Sequence, residues 1–125
     1  MASPPSNLKI LIVDDETSSA ETLAIYLREK GHQAVCAYTV REALSTIRND
    51  SFNLILLDIV LPEVSGFEAI REIRKISAAP IVLMTGYLDQ AIAEDAHLLG
   101  VKTVLQKPLD LAKLEPLIRG YASSG

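Results

Sequence analysis

Five side chains in this sequence are of types that could together handle a phosphoryl group or a hard cation. They are the adjacent acids Asp14 and Asp15, the acid Asp58, the hydroxyl of Thr85 and the ammonium of Lys107. Asp58 stands out because it interrupts an apolar run, Leu54-Ile-Leu-Leu-Asp-Ile-Val-Leu61. An ionised group there costs several kcal/mol unless something compensates it. Two like charges ~4 Å apart repel by about 4 kcal/mol at an effective dielectric of about 20. Three carboxylates gathered in one pocket therefore need cations among them. Lys107 supplies one, and the remaining deficit calls for a divalent metal. An all-oxygen set with few protein ligands suits Mg²⁺, with Mn²⁺ as the alternative. In such a pocket the metal and the ammonium neutralise phosphoryl oxygens, the hydroxyl donates a hydrogen bond, and a carboxylate can act as nucleophile.

Those residues can cooperate only if the fold delivers them to one place. Five short strands are predicted at Leu8–Val13, Gln33–Ala37, Asn53–Leu57, Pro80–Met84 and Val101–Leu105. Four of them are almost continuously apolar, as expected for parallel strands covered on both faces. Between them, apolar residues recur at helical spacing: Ala20, Leu23, Ala24, Leu27; Val40, Ala43, Leu44, Ile47; Phe67, Ile70, Ile73, Ile76. An Ala-rich stretch from Ala91 to Leu99 and the series Leu111, Leu114, Leu117, Ile118 complete five helices. Thr39 to Glu42 and Ser65 to Glu68 read as capping boxes. Asp110 is placed to cap the last helix, and Gly31 and Gly100 fall where two helices should end. Strict alternation of strand and helix predicts a doubly wound α/β fold with five parallel strands in the flavodoxin-like order 2-1-3-4-5. Such folds work at the carboxyl ends of their strands, near the switch point between the first and third. Asp14-Asp15, Asp58, Thr85 and Lys107-Pro108 each stand at such an end.

Composition sets the outer bounds. The chain has 125 residues, 49% apolar and 22% charged, which is one ordinary globular domain. No apolar run approaches the ~18 residues needed to span a bilayer, so no membrane role is expected. Twelve Lys and Arg against sixteen Asp and Glu give a net charge of −4, without the basic patch that direct nucleic-acid binding requires. Cys36 is alone and reads as a small buried thiol in a reducing cytoplasm. His32 and His97 have no Cys or carboxylate at ligand spacing, which leaves a histidine metal site unsupported. Residues 1–7, rich in Ser and Pro, read as a flexible leader, residues 8–120 as the domain, and residues 121–125 as a tail or the start of a linker. Within these 125 residues no effector domain is expected beside it, and one could follow Gly125.

With these motifs in order, the sequence resembles the receiver domain of two-component response regulators, of the single-domain, chemotaxis-regulator-like kind. The resemblance spans Leu8 to Ile118. It rests on Asp14-Asp15, on Asp58-Ile-Val-Leu-Pro62 with Gly66 opening the next helix, on Thr85, and on Lys107-Pro108. It implies that Asp58 is the phosphoacceptor and that Asp15 and Asp58 bind Mg²⁺ directly. The backbone carbonyl of Val60 would be a third ligand, and Asp14 would act through water. Thr85 and Lys107 would bind phosphoryl oxygens, and the bond before Pro108 would be cis. The implied donor is a histidine kinase or phosphotransfer protein, and the implied output is an unidentified downstream protein. The resemblance also implies a cytoplasmic location and a switch that catalyses only its own phosphorylation and dephosphorylation.

The sequence departs from the family pattern at Val104, where members usually carry Tyr or Phe three residues before the site lysine. Tyr87 is the aromatic available to take over that readout or to shield the phosphoryl group. Val60 and Tyr87 would flank the path of attacking water, which predicts a long-lived phosphoryl group. On the first helix, Ile25 is expected to be exposed near Leu109, making the two candidate anchors for the kinase's helical hairpin. Three rival functions are compatible with parts of this pattern. A phosphorylation-independent interaction module on the same fold is kept alive by Val104. A phosphatase of the haloacid dehalogenase type needs a second Asp where Val60 stands. A flavin carrier needs a phosphate loop where Asp14-Asp15-Glu16 would repel phosphate.

Overall fold

The first strand shows how the sequence comes to form a sheet covered on both faces. In β1 (Lys9–Val13) the residues Ile10 to Val13 are all buried, although successive side chains point to opposite sides. The computed structural model, which describes residues 7–61 and 64–123, supplies helices for both sides. After β1 come α1 (Thr17–Glu29), β2 (Gln33–Ala37), α2 (Val40–Asn49), β3 (Leu54–Asp58) and α3 (Gly66–Arg74). They are followed by β4 (Ile81–Thr85), α4 (Gln90–Leu98), β5 (Thr103–Gln106) and α5 (Leu111–Ser123). All strand pairs are parallel and the order is β2-β1-β3-β4-β5, the flavodoxin-like arrangement expected.

Alternation along the strands sorts the core into two layers. Ile10, Ile12, Leu54, Leu56, Val82 and Met84 meet Ala20, Leu23 and Leu27 of α1 with Leu114 and Ile118 of α5. On the other face, Leu11, Val13, Ile55, Leu57 and Leu83 meet Ala43 and Ile47 of α2, Ile70 and Ile73 of α3, and Ala96 of α4. Burying each large aliphatic side chain contributes ~1.5–3 kcal/mol relative to exposure, so the central strands β1, β3 and β4 anchor the fold.

Helix ends follow the predicted capping chemistry, with variations. Thr39 accepts the Glu42 N–H at 3.0 Å, and the Glu42 carboxylate reaches back to the Tyr38 N–H at 2.7 Å, one residue earlier than in the usual box. Ser65 accepts the Glu68 N–H at 3.2 Å, while the Glu68 carboxylate turns outward to Arg71. Asp110 accepts the Ala112 N–H at 3.1 Å. Gly31 and Gly100 take left-handed φ values of 94° and 84° just past α1 and α4. Asp89, unremarked in the sequence, caps α4 by accepting the Ile92 N–H at 2.8 Å.

Several boundaries move by a residue or two, each for a hydrogen-bonding reason. Leu8 lies outside β1 because its N–H goes to His32. Val101 lies outside β5 because its N–H closes the end of α4 on the Ala96 carbonyl. Asp58 and Thr85 fall inside their strands, since Asp58 pairs with Met84 and Thr85 with Gln106. Ile76 is beyond α3 and exposed, because the chain turns after Arg74, whose guanidinium donates to the Ala79 carbonyl at 2.7 Å. Cys36 is half-buried and not the buried thiol expected, since it sits on an edge strand; its Sγ donates to the Ala20 carbonyl. Burial still holds that thiol above its ordinary range. α5 continues through residues 121–123, within the span expected to be a tail or the start of a linker. Residues 1–6 of the leader, Pro62 of the motif and residues 124–125 lie outside the described residues.

Candidate functional site

Parallel pairing brings the carboxyl ends of β1, β3, β4 and β5 to one edge, and the five candidate residues follow. Asp14 comes directly after β1, Asp58 ends β3, Thr85 ends β4 and Lys107 follows β5. The Lys107 N–H donates to the Thr85 carbonyl at 2.7 Å, which ties the last loop to the strand beside it. The Lys107–Pro108 bond is cis, as the resemblance implied.

The charged groups converge tightly. Lys107 Nζ donates to Asp14 Oδ2 at 2.6 Å and to Asp58 Oδ2 at 2.8 Å. The remaining oxygens are held by backbone: the Glu16 N–H donates to Asp14 Oδ1 at 3.0 Å and the Val60 N–H to Asp58 Oδ1 at 2.9 Å. Asp14 is 2% exposed and Asp58 7%, whereas Asp15 is open to solvent. Burial, the larger influence, holds the Asp58 carboxyl above its usual range, against the opposing pull of Lys107 and the Val60 N–H. Burial also works against the Lys107 charge, but its bonds to the two acids outweigh this and hold the ammonium above its ordinary range.

One ammonium does not balance three acids. Carboxylate oxygens of Asp14, Asp15 and Asp58 lie within 4.8 Å of one another, close enough to share one ion. The donor set is all oxygen, with one exposed carboxylate and two fixed ones, which fits a hard divalent cation that keeps some of its waters.

Thr85 is buried, and its hydroxyl is already engaged. It accepts the Tyr87 N–H at 3.2 Å and donates to the Tyr87 carbonyl at 3.0 Å. Nothing in the sequence signalled this turn beyond the two-residue spacing, which a Thr hydroxyl can bridge back to backbone. The rings and chains at the mouth are open: Val60 and Tyr87 are each 68% exposed. Val104 is half-buried against the core beneath α2, α3 and α4, and pairs with Leu83. It is part of the packing and carries no polar group toward the site.

Gly66 has a physical reason the sequence did not disclose. Its N–H donates to the Ile59 carbonyl, and a Cβ there would stand 2.6 Å from Ile59 Cα and 2.9 Å from the Asp58 carbonyl oxygen. Only glycine lets the first turn of α3 press against the backbone that carries Asp58.

The two proposed docking residues line different depressions. Ile25 is exposed at 55%, as expected, but lines a depression against β2 with Arg28, Val35 and Tyr38. Leu109 lines a separate open groove of about 520 Å³ with Ser18, Thr22, Met84 and Lys107, leading directly to the acids.

Comparison with known proteins agrees with this geometry. The family model for the response regulator receiver domain matches residues 10–119. The transcriptional regulatory protein CrdR of Helicobacter pylori is 30% identical over 115 residues, covering 90% of this chain and 54% of that protein. The transcriptional regulatory protein ZraR of Escherichia coli is 34% identical over 110 residues, covering 87% of this chain and 25% of that protein. The chain thus spans about half of the first relative's length and a quarter of the second's. The crystal structure of a two-component response regulator from Clostridium difficile superposes with a TM-score of 0.89 at 31% identity, covering 92% of this chain and 95% of that one. A sheet in the order 2-1-3-4-5, acids and a lysine gathered at its carboxyl edge, and a family match over nearly the whole chain agree: this chain belongs to the response regulator receiver domain family.

Proposed function

We propose that this chain is a phosphorylatable switch. It accepts a phosphoryl group from the phosphohistidine of a histidine kinase or phosphotransfer protein onto Asp58, in a Mg²⁺-dependent step, and sheds it slowly by self-hydrolysis. The observation that carries this reading is Asp58 itself: a buried carboxylate with Lys107 Nζ at 2.8 Å and two further acids within 4.8 Å.

In the transfer, an Asp58 oxygen forms a P–O bond as the donor's P–N bond breaks, and the bonding pair stays on the imidazole nitrogen. Mg²⁺, or Mn²⁺ in its place, would be held by Asp15, Asp58 and the Val60 carbonyl, with Asp14 acting through water, and would supply charge to offset the phosphoryl oxygens. Lys107 is positioned by Asp14 to pair with those oxygens as they gain charge. In hydrolysis a water oxygen attacks phosphorus, the P–O bond to Asp58 breaks, and the carboxylate returns with inorganic phosphate released.

The hydroxyl of Thr85 has one proton to give. Donating it to a phosphoryl oxygen means withdrawing it from the Tyr87 carbonyl, so loading Asp58 re-aims the loop that carries Tyr87. The loop leads into α4, which buries only Ala96 among its residues and is weakly anchored. Replacing the single charge of the Asp58 carboxylate by the roughly two of an acyl phosphate therefore shifts a surface that a downstream protein can read, with Tyr87 as the aromatic that moves in the absence of a ring at Val104. Among the described residues, no helix is long and apolar enough to cross a membrane.

The test is intact mass after treatment with acetyl phosphate and Mg²⁺. The wild type gains the mass of one phosphoryl group and Asp58→Asn gains none. No gain in the wild type, with or without a panel of phosphorylated kinases, would leave an interaction module that works without phosphorylation.

A further inference from the structure

Four polar side chains are buried among the described residues, and three of them, Asp14, Asp58 and Thr85, belong to the site. The fourth is His32, which precedes β2 at the opposite end of the sheet. Its Nδ1 accepts the Leu8 N–H at 3.0 Å. A neutral imidazole carries one proton, so with Nδ1 an acceptor that proton is on Nε2. Nε2 faces Glu115 Oε1 of α5 at 3.6 Å, beyond hydrogen-bond range. Both atoms are sealed from solvent and neither has another partner. A buried donor and a carboxylate oxygen thus face each other across a gap that stops just short of closing, where buried polar groups are ordinarily paired.

Two pulls act on this ring. The Leu8 N–H requires a lone pair on Nδ1 and so favours the neutral form. The Glu115 carboxylate favours a charged ring. A second proton on Nδ1 would set N–H against N–H at Leu8 and drive the ring off that bond. The same proton would turn the Nε2 contact into a charge-assisted hydrogen bond, which runs about 2.7–2.9 Å. Charged neighbours on the packed elements do not cancel this. Arg28 at the end of α1 donates to the Ala34 carbonyl, Lys30 lies over the Tyr26 ring, and Lys9 of β1 pairs with Asp50. Arg119 of α5 donates to the other Glu115 oxygen at 3.2 Å, which fixes that carboxylate and leaves Oε1 for the ring.

We propose that His32 is a proton-operated toggle between the entry to β1 and helix α5: neutral, it holds Leu8; protonated, it releases Leu8 and closes onto Glu115. Histidine is the side chain whose charge ordinarily changes within the physiological range, so acidification is the natural trigger. The toggle acts on α5, the element that directly follows the site loop of Lys107 to Asp110.

Amide hydrogen exchange and ring nitrogen shifts, recorded by NMR at about pH 8 and about pH 5.5, test it. After correction for the intrinsic pH dependence of exchange, the ring reads as the Nε2–H form at the higher pH. At the lower pH the Leu8 amide loses about fivefold in protection, the effect of one lost hydrogen bond. Glu115→Gln, which keeps the size and removes the charge, abolishes most of that loss. His32→Asn, whose oxygen can still accept from Leu8 and which has no ring to titrate, shows equal protection at both pH values. An Nδ1–H ring at the higher pH, a Leu8 amide indifferent to pH in the wild type, or Glu115→Gln responding as the wild type does would each overturn the toggle.

Discussion

Replacing Lys107 by Met removes the charge that makes the acidic edge tolerable while keeping the aliphatic stem. In the native chain, Nζ sits 2.6 Å from Asp14 and 2.8 Å from Asp58, with those side chains 2% and 9% exposed. Without it, two largely buried carboxylates face each other with oxygens no more than 4.8 Å apart. At an effective dielectric of about 20 their repulsion is ~3.5 kcal/mol. Partial access of water at the mouth reduces this, so the expected loss of stability in metal-free buffer at about pH 8 is ~2–3 kcal/mol, or a Tm lower by about 10 °C. The pH dependence has a definite sign. The folded state already holds the Asp58 carboxyl above its usual range, and removing the ammonium pushes it further the same way. A carboxyl raised on folding contributes stability that is fully present below its unfolded value and lost as pH rises through the folded one. The deficit of Lys107→Met is therefore largest in mild base and shrinks toward about pH 5. Saturating Mg²⁺ narrows it as well, because the cation binds the native state alone and no longer competes with an ammonium. Urea unfolding of wild type, Lys107→Met and Lys107→Arg, at two pH values with EDTA or Mg²⁺, measures each of these. A Lys107→Met variant within about 0.5 kcal/mol of wild type in mild base, or one whose deficit ignores both pH and Mg²⁺, would refute the electrostatic account of the site.

Other consequences follow from single contacts. Gly66→Ala forces a Cβ against backbone at 2.6 and 2.9 Å, so it should cost ~1–3 kcal/mol in denaturant midpoint and slow phosphorylation by acetyl phosphate, whereas Gly120→Ala, with nothing within 4 Å, should be neutral or stabilising. Val60→Asn places a hydrogen-bonding side chain at the exposed mouth and should shorten the phosphoryl lifetime severalfold; an unchanged lifetime in a radiolabel decay assay removes Val60 from the path of water. The chain has no Trp, so Tyr87→Trp gives a single reporter whose emission should shift on adding beryllofluoride with Mg²⁺, and Thr85→Val should abolish that shift. Leu109→Ser, in the groove that opens on Lys107, should slow transfer from a phosphorylated kinase more than Ile25→Ser does; equal effects would mean that the kinase covers both sides of α1.

The parts of this protein that were legible in the sequence are those where one residue type has one physical explanation. Ile10 to Val13 and Leu54 to Leu57 are apolar at every position, as a short strand covered on both faces requires, and the strict alternation of such runs with amphipathic helices carries the strand order and the site edge. Asp58 was legible for the opposite reason, as the charge that such a run should not contain. What remained hidden depended on backbone atoms, which every residue carries. The Thr85 hydroxyl closing on the Tyr87 N–H and carbonyl, the Gly66 approach to the Ile59 Cα, and the Leu8 N–H spent on His32 are all of this kind. Ile25 shows the complementary limit: helical periodicity said correctly that it faces outward, but not toward which neighbour. The distinction bears on how the switch is read out. Val104 could be recognised from sequence as a missing ring, which suggests a loss of coupling. The backbone latch between Thr85 and Tyr87 supplies a coupling that needs no ring on β5 at all. A hydroxyl with one proton must choose between the Tyr87 carbonyl and a phosphoryl oxygen, and that choice is made whatever side chain stands at position 104.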